Sequence, residues 1–221
     1  MYIALCTTNA VATDTGTGLS AGANYTDPYT SAAPVGVEAS GGSYGRQAYN
    51  PSVSSDWEAT QGGVSGTSTG TTGSTSNHTT ITFATATGSG WGTITGIAIC
   101  DNNLTTQTGG FNSVTMTFTH TSATVTTNTT TGLVAGDPIF LQHSTDYFSG
   151  YIGTITASTN FTLSSTQATY TASNWTGATT SAGTLTDGGN LLFFGALSSS
   201  KTVGNGDIFQ FNANQLSIAL S

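Results

Sequence analysis

Apolar residues alternate with threonine and other polar residues in several short runs, and this period of two constrains the fold more than any other feature. Such alternation places one face of a β-strand on a core and the other face in solvent. No window keeps apolar residues at the i, i+3, i+4, i+7 spacing of an amphipathic helix, and abundant Gly and Thr disfavour helices. The sequence therefore predicts an all-β, antiparallel fold. The clearest runs are TTITFATA (Thr79–Ala86), VTMTFTH (Val114–His120), FTLSS (Phe161–Ser165), IFQFNA (Ile208–Ala213) and LSIAL (Leu216–Leu220).

Charge is scarce in this chain of 221 residues, which has two basic residues against ten acidic ones and a net charge of −8. Nucleic-acid binding needs clustered Lys and Arg, so we expect no nucleic-acid partner. No apolar run approaches the roughly 20 residues of a membrane-spanning helix, and an anionic membrane would repel the chain, so we expect no membrane partner. The opening MYIALCTT has no basic region and is too short for a signal peptide, which predicts synthesis in the cytoplasm without ordinary export.

Hydrophobic residues make up 36% of the chain, which is enough for a core. The segment Gln61–Asn77 has almost nothing to bury and is predicted to be a solvated loop.

Strand signals at short, even spacing fill the stretch from about Phe111 to Leu185, which is enough for a small five-stranded barrel. The segments on either side, Cys100–Gly110 and Thr186–Leu197, have the composition of two halves of one interrupted hairpin connection. The sequence thus predicts a β-sandwich with a small β-barrel-like domain inserted between two of its strands. The predicted bounds are residues 1–105 plus 187–221 for the sandwich and 106–186 for the inserted domain.

One short motif matches a catalytic signature. The segment GLSAG, Gly18–Gly22, has the Gly-x-Ser-x-Gly pattern of a nucleophile elbow around Ser20. That motif acts only where a strand ends in it and a helix follows, and the next residues, ANYTDPYTSAAP, predict no helix. Paired carboxylates cannot be picked out among the ten acids either. We therefore expect no catalytic residue and no enzyme activity.

Metal and cofactor chemistry has equally little support. None of the three histidines lies in a His-x-x-x-His pair or beside a spaced cysteine. Asp101 begins an Asp-Asn-Asn run that either forms a turn or supplies oxygens to a hard cation, and the turn is favoured. Cys6 and Cys100 fall in predicted core strands, where buried thiols are the default and pairing stays open. We expect no metal and no cofactor.

The tryptophans offer one candidate ligand contact. Trp57, Trp91 and Trp175, with nearby tyrosines, have the residue types of a sugar-binding platform. Trp91 directly precedes a predicted strand and is expected in the core. Only Trp175, near the end of the inserted domain, is kept as a candidate glycan contact.

Five short segments form an ordered series: GGSYGRQAY (Gly41–Tyr49), WGTITGIAICD (Trp91–Asp101), GGNLLFFGAL (Gly188–Leu197), VGNGDIFQF (Val203–Phe211) and LSIAL (Leu216–Leu220). This series resembles a family of small tailed-bacteriophage virion proteins, often labelled tail fibre proteins, for some of which head decoration is a proposed role. The chain departs from that family by the insertion after Asp101, where the family has only a short turn. The inserted segment itself is similar to small β-modules of phage tail and fibre proteins.

The resemblance implies a virion structural protein, located in the virion after synthesis in the host cytoplasm. We favour a capsid decoration or cement protein on the outer shell, because the chain stops at Ser221 with its last sandwich strand and shows no stalk repeat. Its expected partners are the major capsid protein or other virion subunits, in a homo-oligomer for which a trimer is favoured. The alternative is a short tail fibre or spike protein that contacts the host surface. A third interpretation, an enzyme acting on polysaccharide, lacks a catalytic constellation.

The segment GGSYGRQAY holds Arg46, one of the two basic residues of the chain. With Tyr44, Gln47 and Tyr49 it forms the candidate set of structural or interface residues. Two roles are open for its five N–H donors. Arg46 either stacks on a neighbouring tyrosine and caps loop carbonyls of its own sandwich, or crosses a subunit boundary to a carboxylate. The first role is favoured, because the resembling family carries this arginine with or without the insertion.

Overall fold

The computed structural model describes residues 1–27, 30, 32–50, 56–57, 74–110, 124–143, 146–164 and 182–219. Antiparallel strands dominate it, which confirms the predicted all-β fold class. Among the described residues, no helix has the length and apolar character needed to cross a membrane. The helical elements are α1 (Gly16–Ala21) and a 3-10 turn (Gly22–Asn24). The strands are β1 (Tyr2–Thr8), β2 (Val37–Glu38), β3 (Gln47–Ala48), β4 (Ser74–Ser76), β5 (Ile81–Thr82), β6 (Gly92–Cys100), β7 (Thr105–Gly110), β8 (Thr124–Thr126), β9 (Pro138–His143), β10 (Asp146–Ala157), β11 (Asn160–Leu163), β12 (Ala182–Asp187), β13 (Leu191–Val203), β14 (Gln210–Phe211) and β15 (Ser217–Ala219).

The first sheet has the order β13-β6-β1-β2, and β3 also pairs with β1. Side chains alternate across β1, so Ile3 and Leu5 lie in the main hydrophobic core while Ala4 and Cys6 lie on the opposite face. The small side chains of that second face leave room for α1, whose Leu19 packs against them. The sheet is thus buried on both faces here, which explains the continuous apolar run of β1.

The main core lies between the first sheet and two antiparallel ribbons, β14-β5 and β15-β4. Its aromatic rings meet edge to face, with centroids 5.9 Å apart for Phe83 and Phe209 and 5.2 Å apart for Phe209 and Phe211. Trp91 is buried in the same cluster and contacts Phe83. These two layers make the predicted antiparallel sandwich.

The inserted segment forms a second sheet with the order β7-β12-β9-β10-β11-β8. The long strand β10 joins its two halves, because its first part pairs with β9 and its second part with β11. This sheet has its own hydrophobic cluster, which includes Ile139, Phe148 and Phe161. Within the described residues the strand order stays open and does not close into a barrel. The predicted strand Val114–His120 lies outside the described residues.

Strands β6 and β13 continue into β7 and β12, so the chain leaves the sandwich and returns to it side by side. Cys100 lies opposite Leu191 in the first sheet, and Thr105 lies opposite Asp187 in the second sheet. This is the interrupted hairpin that the flanking segments predicted. The division into two separately folding domains stays a prediction.

The end of the predicted solvated loop differs from expectation. Ser74–Ser76 form β4 and pair with β15, although the segment has little apolar character. The next residue, Asn77, is buried, and its amide donates to the carbonyls of Thr79 and Asn212 at 2.8 Å each. Backbone pairing with β15 and these amide bonds outweigh the weak strand propensity of the segment.

The motif around Ser20 lies on α1, a helix that the sequence pattern did not reveal, and the described residues after the motif contain only the 3-10 turn. Thr15 caps the helix, since its hydroxyl accepts a hydrogen bond of 2.9 Å from the Gly18 N–H. Gly22 ends the helix with a φ of 76°, a value that suits glycine. An N-cap threonine and a terminal glycine therefore define one short helix despite the poor propensity of its interior. A nucleophile elbow places its serine on a strand-to-helix turn, so Ser20 does not match that geometry.

Candidate functional site

A buried ion pair joins Arg46, just before β3, to Glu38 at the end of β2. The Arg46 Nη2 lies 2.7 Å from one carboxylate oxygen of Glu38, and Nε lies 2.9 Å from the other. Both side chains are fully shielded from solvent. Burial alone would lower the pKa of Arg46, but the hydrogen bonds and charge of Glu38 outweigh it and raise that pKa. Arg46 therefore stays charged inside the protein.

The remaining N–H groups of Arg46 donate to three backbone carbonyls. Nη2 donates to Gly16 at 2.8 Å, and Nη1 donates to Asn102 at 2.9 Å and to Gly188 at 2.5 Å. All five donors of the guanidinium are thus used within the chain. The acceptors belong to the start of α1 and to the segments that lead into and out of the inserted sheet. We refer to Arg46, Glu38 and these three carbonyls as the Arg46 centre.

Two glycines let the backbones approach around Arg46. A Cβ atom at Gly16 would lie 2.1 Å from the carbonyl oxygen of Gly188. A Cβ atom at Gly188 would lie 2.5 Å from the carbonyl oxygen of Gly16 and 2.9 Å from Nη2 of Arg46. Both positions therefore need glycine because of the close contact, and this contact brings the carbonyls within reach of one guanidinium.

Glu38 accepts further hydrogen bonds from two side chains of the sandwich. The Tyr44 hydroxyl donates to it at 3.0 Å and accepts from the Leu5 N–H at 2.9 Å. Burial, followed by the charge of Glu38, raises the pKa of Tyr44 well above its ordinary value, so the phenol stays protonated. The Ser20 hydroxyl also donates to Glu38. The carboxylate is therefore fully occupied as an acceptor.

A second polar cluster lies beside the Arg46 centre, where the inserted sheet meets the sandwich. The side-chain amide of Asn102 donates to Asp137 at 3.0 Å and to Asp187 at 3.2 Å. Both carboxyl groups are buried. Burial and the charge of Asp101 raise the pKa of Asp137 to about 6, and burial and the charge of Asp137 raise that of Asp187 to about 7. We call Asn102, Asp137 and Asp187 the carboxylate junction.

Asp101 joins the two segments that connect the sandwich to the inserted sheet. Its carboxylate accepts from the Asn190 backbone N–H at 2.7 Å and from the Asn190 side-chain amide at 2.9 Å. These bonds join the two strands of the interrupted hairpin where they leave the sandwich. These bonds reach a residue 89 positions away, so the choice between a turn and a cation ligand for Asp101 stays a prediction.

Further contacts attach the inserted sheet to the N-terminal part of the chain. The Thr17 hydroxyl of α1 donates to the carbonyl of Pro138, and the Gly188 N–H donates to that hydroxyl at 2.8 Å. The Tyr151 hydroxyl on β10 donates to the carboxylate of Asp27 at 3.1 Å. Helix α1 therefore packs against the base of the insertion and links it to the sandwich.

The other predicted site residues lie apart from this centre or outside the described residues. The Gln47 amide donates to the carbonyl of Gly45 at 3.0 Å. Tyr49 is buried, donates to the carbonyl of Thr79 at 3.1 Å and contacts the ring of Trp57. The structure therefore brings Tyr44 and Arg46 together on Glu38, whereas Gln47 and Tyr49 make local contacts. Trp175 lies outside the described residues.

Sequence reasoning missed Glu38, the paired glycines and the carboxylate junction. A signal for Glu38 was present, because a buried arginine needs a carboxylate and Glu38 precedes Arg46 by only eight residues. No comparable signal marked Asp137 and Asp187, which lie 50 residues apart and meet only through the pairing of β9 with β12.

Metal and thiol chemistry gain no support from the part of the chain that the structure describes. No group of three or more His, Cys, Asp or Glu side chains there is placed to hold a metal ion. Cys6 and Cys100 are both buried and free. Burial raises the pKa of these thiols to about 12 and about 11, so both stay protonated and unreactive.

A family of known proteins matches the chain. Residues 24–141, more than half of the chain, match the family described as Gp80, podophage GP4 fiber I protein gp80. The matched region contains Glu38, Arg46 and Asn102, and it ends in β9 of the inserted sheet. No curated protein and no solved structure matches the chain.

Proposed function

Because the chain belongs to the family of the podophage GP4 fiber I protein gp80, we propose that it is a fibre component of the phage particle. Membership makes it a bacteriophage virion structural protein. The family is named for a fibre, which favours the short tail fibre or spike over the capsid decoration protein that the sequence analysis placed first. The family match is the single observation that carries this proposal.

The Arg46 centre supports a mechanical role for the base of the inserted sheet. One guanidinium holds α1 and both segments that connect the sandwich to the insertion. A fibre has to transmit force between its attachment to the particle and its outer part. We propose that the sandwich attaches to the virion and that the inserted sheet faces outward, with the Arg46 centre keeping the connection stiff.

Particles that lack this protein test the fibre role against the decoration role. A fibre component should be needed for adsorption to the host, while particle stability to heat and low salt stays normal. Loss of heat stability with normal adsorption would instead identify a decoration protein, which acts by holding shell subunits together. Locating the chain in electron-microscopy maps of intact particles provides the second measurement. A position on the shell lattice would contradict the fibre proposal.

We also propose that the protein acts without catalysis. The Ser20 hydroxyl donates to Glu38, whose charge Arg46 neutralises, so this carboxylate is a poor base for activating a nucleophile. The purified protein should release no product from host polysaccharides or esters, and Ser20→Ala should leave adsorption unchanged. Turnover by the wild-type protein that disappears in Ser20→Ala would contradict this proposal.

A further inference from the structure

The carboxylate junction has more acceptor oxygens than its central amide can serve. Asn102 Nδ2 carries two hydrogens, and three oxygens lie within its reach: one of Asp137 at 3.0 Å, one of Asp187 at 3.2 Å and the Gly132 carbonyl at 3.2 Å. Asp137 is 4% exposed and Asp187 is 0% exposed, so bulk water cannot supply the missing donor. While both carboxyl groups are ionised, one of the three oxygens therefore goes without a hydrogen from Asn102.

A proton on the carboxyl pair removes this shortage. Asp137 and Asp187 are hydrogen-bond partners of each other, and two carboxyl groups bond in this way only when one of them is protonated. Other donors do not replace that proton, because the Asn190 amide lies 3.4 Å from Asp137 and the Gly189 N–H donates to the opposite oxygen of Asp187 at 3.1 Å. The arrangement is that of two buried carboxyl groups that share one proton.

The surrounding ionisable groups provide no counter-charge for this pair. Those that face it from the neighbouring segments are Asp101, the protonated thiol of Cys100, Arg46 with Glu38, and Tyr151 with Asp27. Asp101 adds a further negative charge, and the charge of Arg46 is already balanced by Glu38. Helix α1, which packs against the base of the insertion, has no ionisable side chain. Full ionisation therefore places two unpaired charges in a buried site.

The pair lies where a turn of the inserted sheet meets the neck, by which we mean residues 101–104 and 188–190 that connect the two sheets. In the turn 132–137, the Gly132 carbonyl and Asp137 accept hydrogen bonds from Asn102 of the neck. Gly132 and Gly136 have φ angles of 85° and 95°, in the left-handed region that glycine adopts readily. The turn thus has a glycine near each end, and its contact with the neck depends on Asp137.

We propose that the carboxylate junction is a pH-dependent latch, which holds the turn 132–137 on the neck when Asp137 and Asp187 share a proton and releases it when both are ionised. Ionisation leaves two buried carboxylates that repel each other and compete for one amide. The turn then separates from Asn102 and admits water. The Arg46 centre takes no part in this change, so the release is local and the sandwich stays folded.

The direction of the pH dependence follows from the burial of the pair. Burial raises the pKa of Asp137 to about 6 and that of Asp187 to about 7 in the folded chain, above the ordinary value of 3.8. A contact that needs such a proton is present below these pKa values and is lost as the pH rises through them. The latch is therefore closed at about pH 5 and open at about pH 8.

Hydrogen exchange of backbone amides in the purified full chain, followed by NMR, tests the proposal. Each exchange rate is divided by that of an unstructured peptide at the same pH, which gives a protection factor. The N–H groups of Leu133, Gly136 and Asp137 donate to backbone carbonyls in or beside the turn. Their protection should fall by more than about tenfold between about pH 5 and about pH 8. The amides of β1 and β6 should keep their protection, because global unfolding is not involved.

Two variants keep the latch closed without a titrating proton. In Asp187→Asn the new amide donates to Asp137 at any pH, so the turn should stay protected at about pH 8. Asp137→Asn makes the same test from the other side of the pair. Asp207→Asn is the matched control, since Asp207 is exposed and its variant should lose protection of the turn as the wild type does. Circular dichroism at both pH values confirms that each variant is folded.

Three results would overturn the proposal. The first is a wild-type turn that is equally protected at both pH values. The second is a loss of protection that is as large in β1 and β6 as in the turn, which would mean global destabilisation. The third is a loss that persists unchanged in the folded Asp187→Asn or Asp137→Asn variant.

Discussion

At the scale of single residues, the Arg46 centre depends on the shape of the guanidinium. Its donors are fixed in a planar fork, and here they reach one carboxylate in two places and three carbonyls around it. A lysine ammonium has three donors on a single nitrogen and cannot span these acceptors. Positive charge is rare in the chain, and the other basic residue, Lys201, is exposed on β13 and does not compete for Glu38.

Substitution of Arg46 is expected to destabilise the folded chain. Arg46→Ala leaves Glu38 and three carbonyls buried without their partner, which should lower the free energy of unfolding by about 3–5 kcal/mol. Arg46→Lys keeps the charge but loses the fork, so its effect should be smaller and still destabilising. Urea unfolding followed by tryptophan fluorescence measures both.

Lys201→Ala is the control for Arg46, since it removes the other basic residue from an exposed position. Its free energy of unfolding should stay within about 0.5 kcal/mol of the wild type. If Arg46→Ala were equally mild, the centre would not stabilise the fold.

The close contact between Gly16 and Gly188 leads to a second prediction. Gly188→Ala places a Cβ atom against the Gly16 carbonyl and Arg46, so the two backbones have to separate. We expect destabilisation of about 1–3 kcal/mol and a lower melting temperature. Gly45→Ala is the matched control, because no atom lies within 4 Å of a Cβ at that position. Equal melting temperatures for the two variants would contradict the steric argument.

At the residue level, composition drew attention to residues that are unusual in this chain. Arg46 was identified because positive charge is so rare in this chain. Gly16 and Gly188 escaped notice, since glycine is common here and their need for a missing side chain arises only when distant segments meet. Asp137 and Asp187 were missed for the same reason.

At the scale of secondary-structure elements, the carboxylate junction should make stability depend on pH. The folded pKa values of Asp137 and Asp187, about 6 and about 7, lie above the ordinary value of 3.8. Between about pH 4 and about pH 7, the folded chain therefore binds more protons than the unfolded chain. Ionisation of this pair lowers the free energy of unfolding as the pH rises through that range. Asp187→Asn should reduce that fall, because an amide does not ionise.

Melting temperatures measured from pH 4 to pH 8 test this prediction. Asp207→Asn is the charge-matched control, since Asp207 lies in an exposed turn and its carboxylate accepts from the Gly204 N–H at 2.8 Å. The control should keep the wild-type slope with pH, apart from a constant offset. If Asp187→Asn kept that slope too, the junction carboxylates would not be the source of the pH dependence.

Strands with strong alternation were predictable from the sequence, and those formed by pairing alone were not. Phe161 and Leu163 alternate with polar residues and lie in β11 as expected. Ser74–Ser76 carry no such pattern, and they form β4 because β15 offers backbone partners. Helix α1 was missed because its signals are a cap and a terminal glycine, and six residues are too few to show helical periodicity.

At the scale of the whole molecule, the interrupted hairpin explains how one chain accommodates two hydrophobic clusters. The main core of the sandwich is built from segments before Asp101 and after Asn190, and the cluster of the second sheet is built from segments between them. The β6–β13 pair of the first sheet is followed by the β7–β12 pair of the second sheet, and the Asp101 N–H donates to the Asn190 carbonyl between them. The sequence revealed this arrangement because the flanking segments read as one hairpin, whereas the polar contacts between the two sheets had no sequence signature.

The predicted two-domain division can be tested by replacing residues 106–186 with a two-residue turn between Thr105 and Asp187. These two residues already lie opposite each other in an antiparallel pair, so a short turn closes the gap without moving the sandwich strands. The main core keeps its aromatic cluster in this variant, and the chain should remain soluble, β-rich and cooperatively folded. Its melting temperature should fall, because Asp137 and Tyr151, which contact the sandwich, are removed.

Circular dichroism and the fluorescence of the buried Trp57 and Trp91 report on the shortened chain, since both belong to the main core. A native-like emission spectrum with a single unfolding transition is the expected result. The control is a chain in which the same turn replaces residues 94–197, which removes paired parts of both β6 and β13. That chain should not fold. If the shortened chain with β6 and β13 intact is also unfolded, the sandwich needs the inserted sheet for its own stability and the two-domain division is wrong.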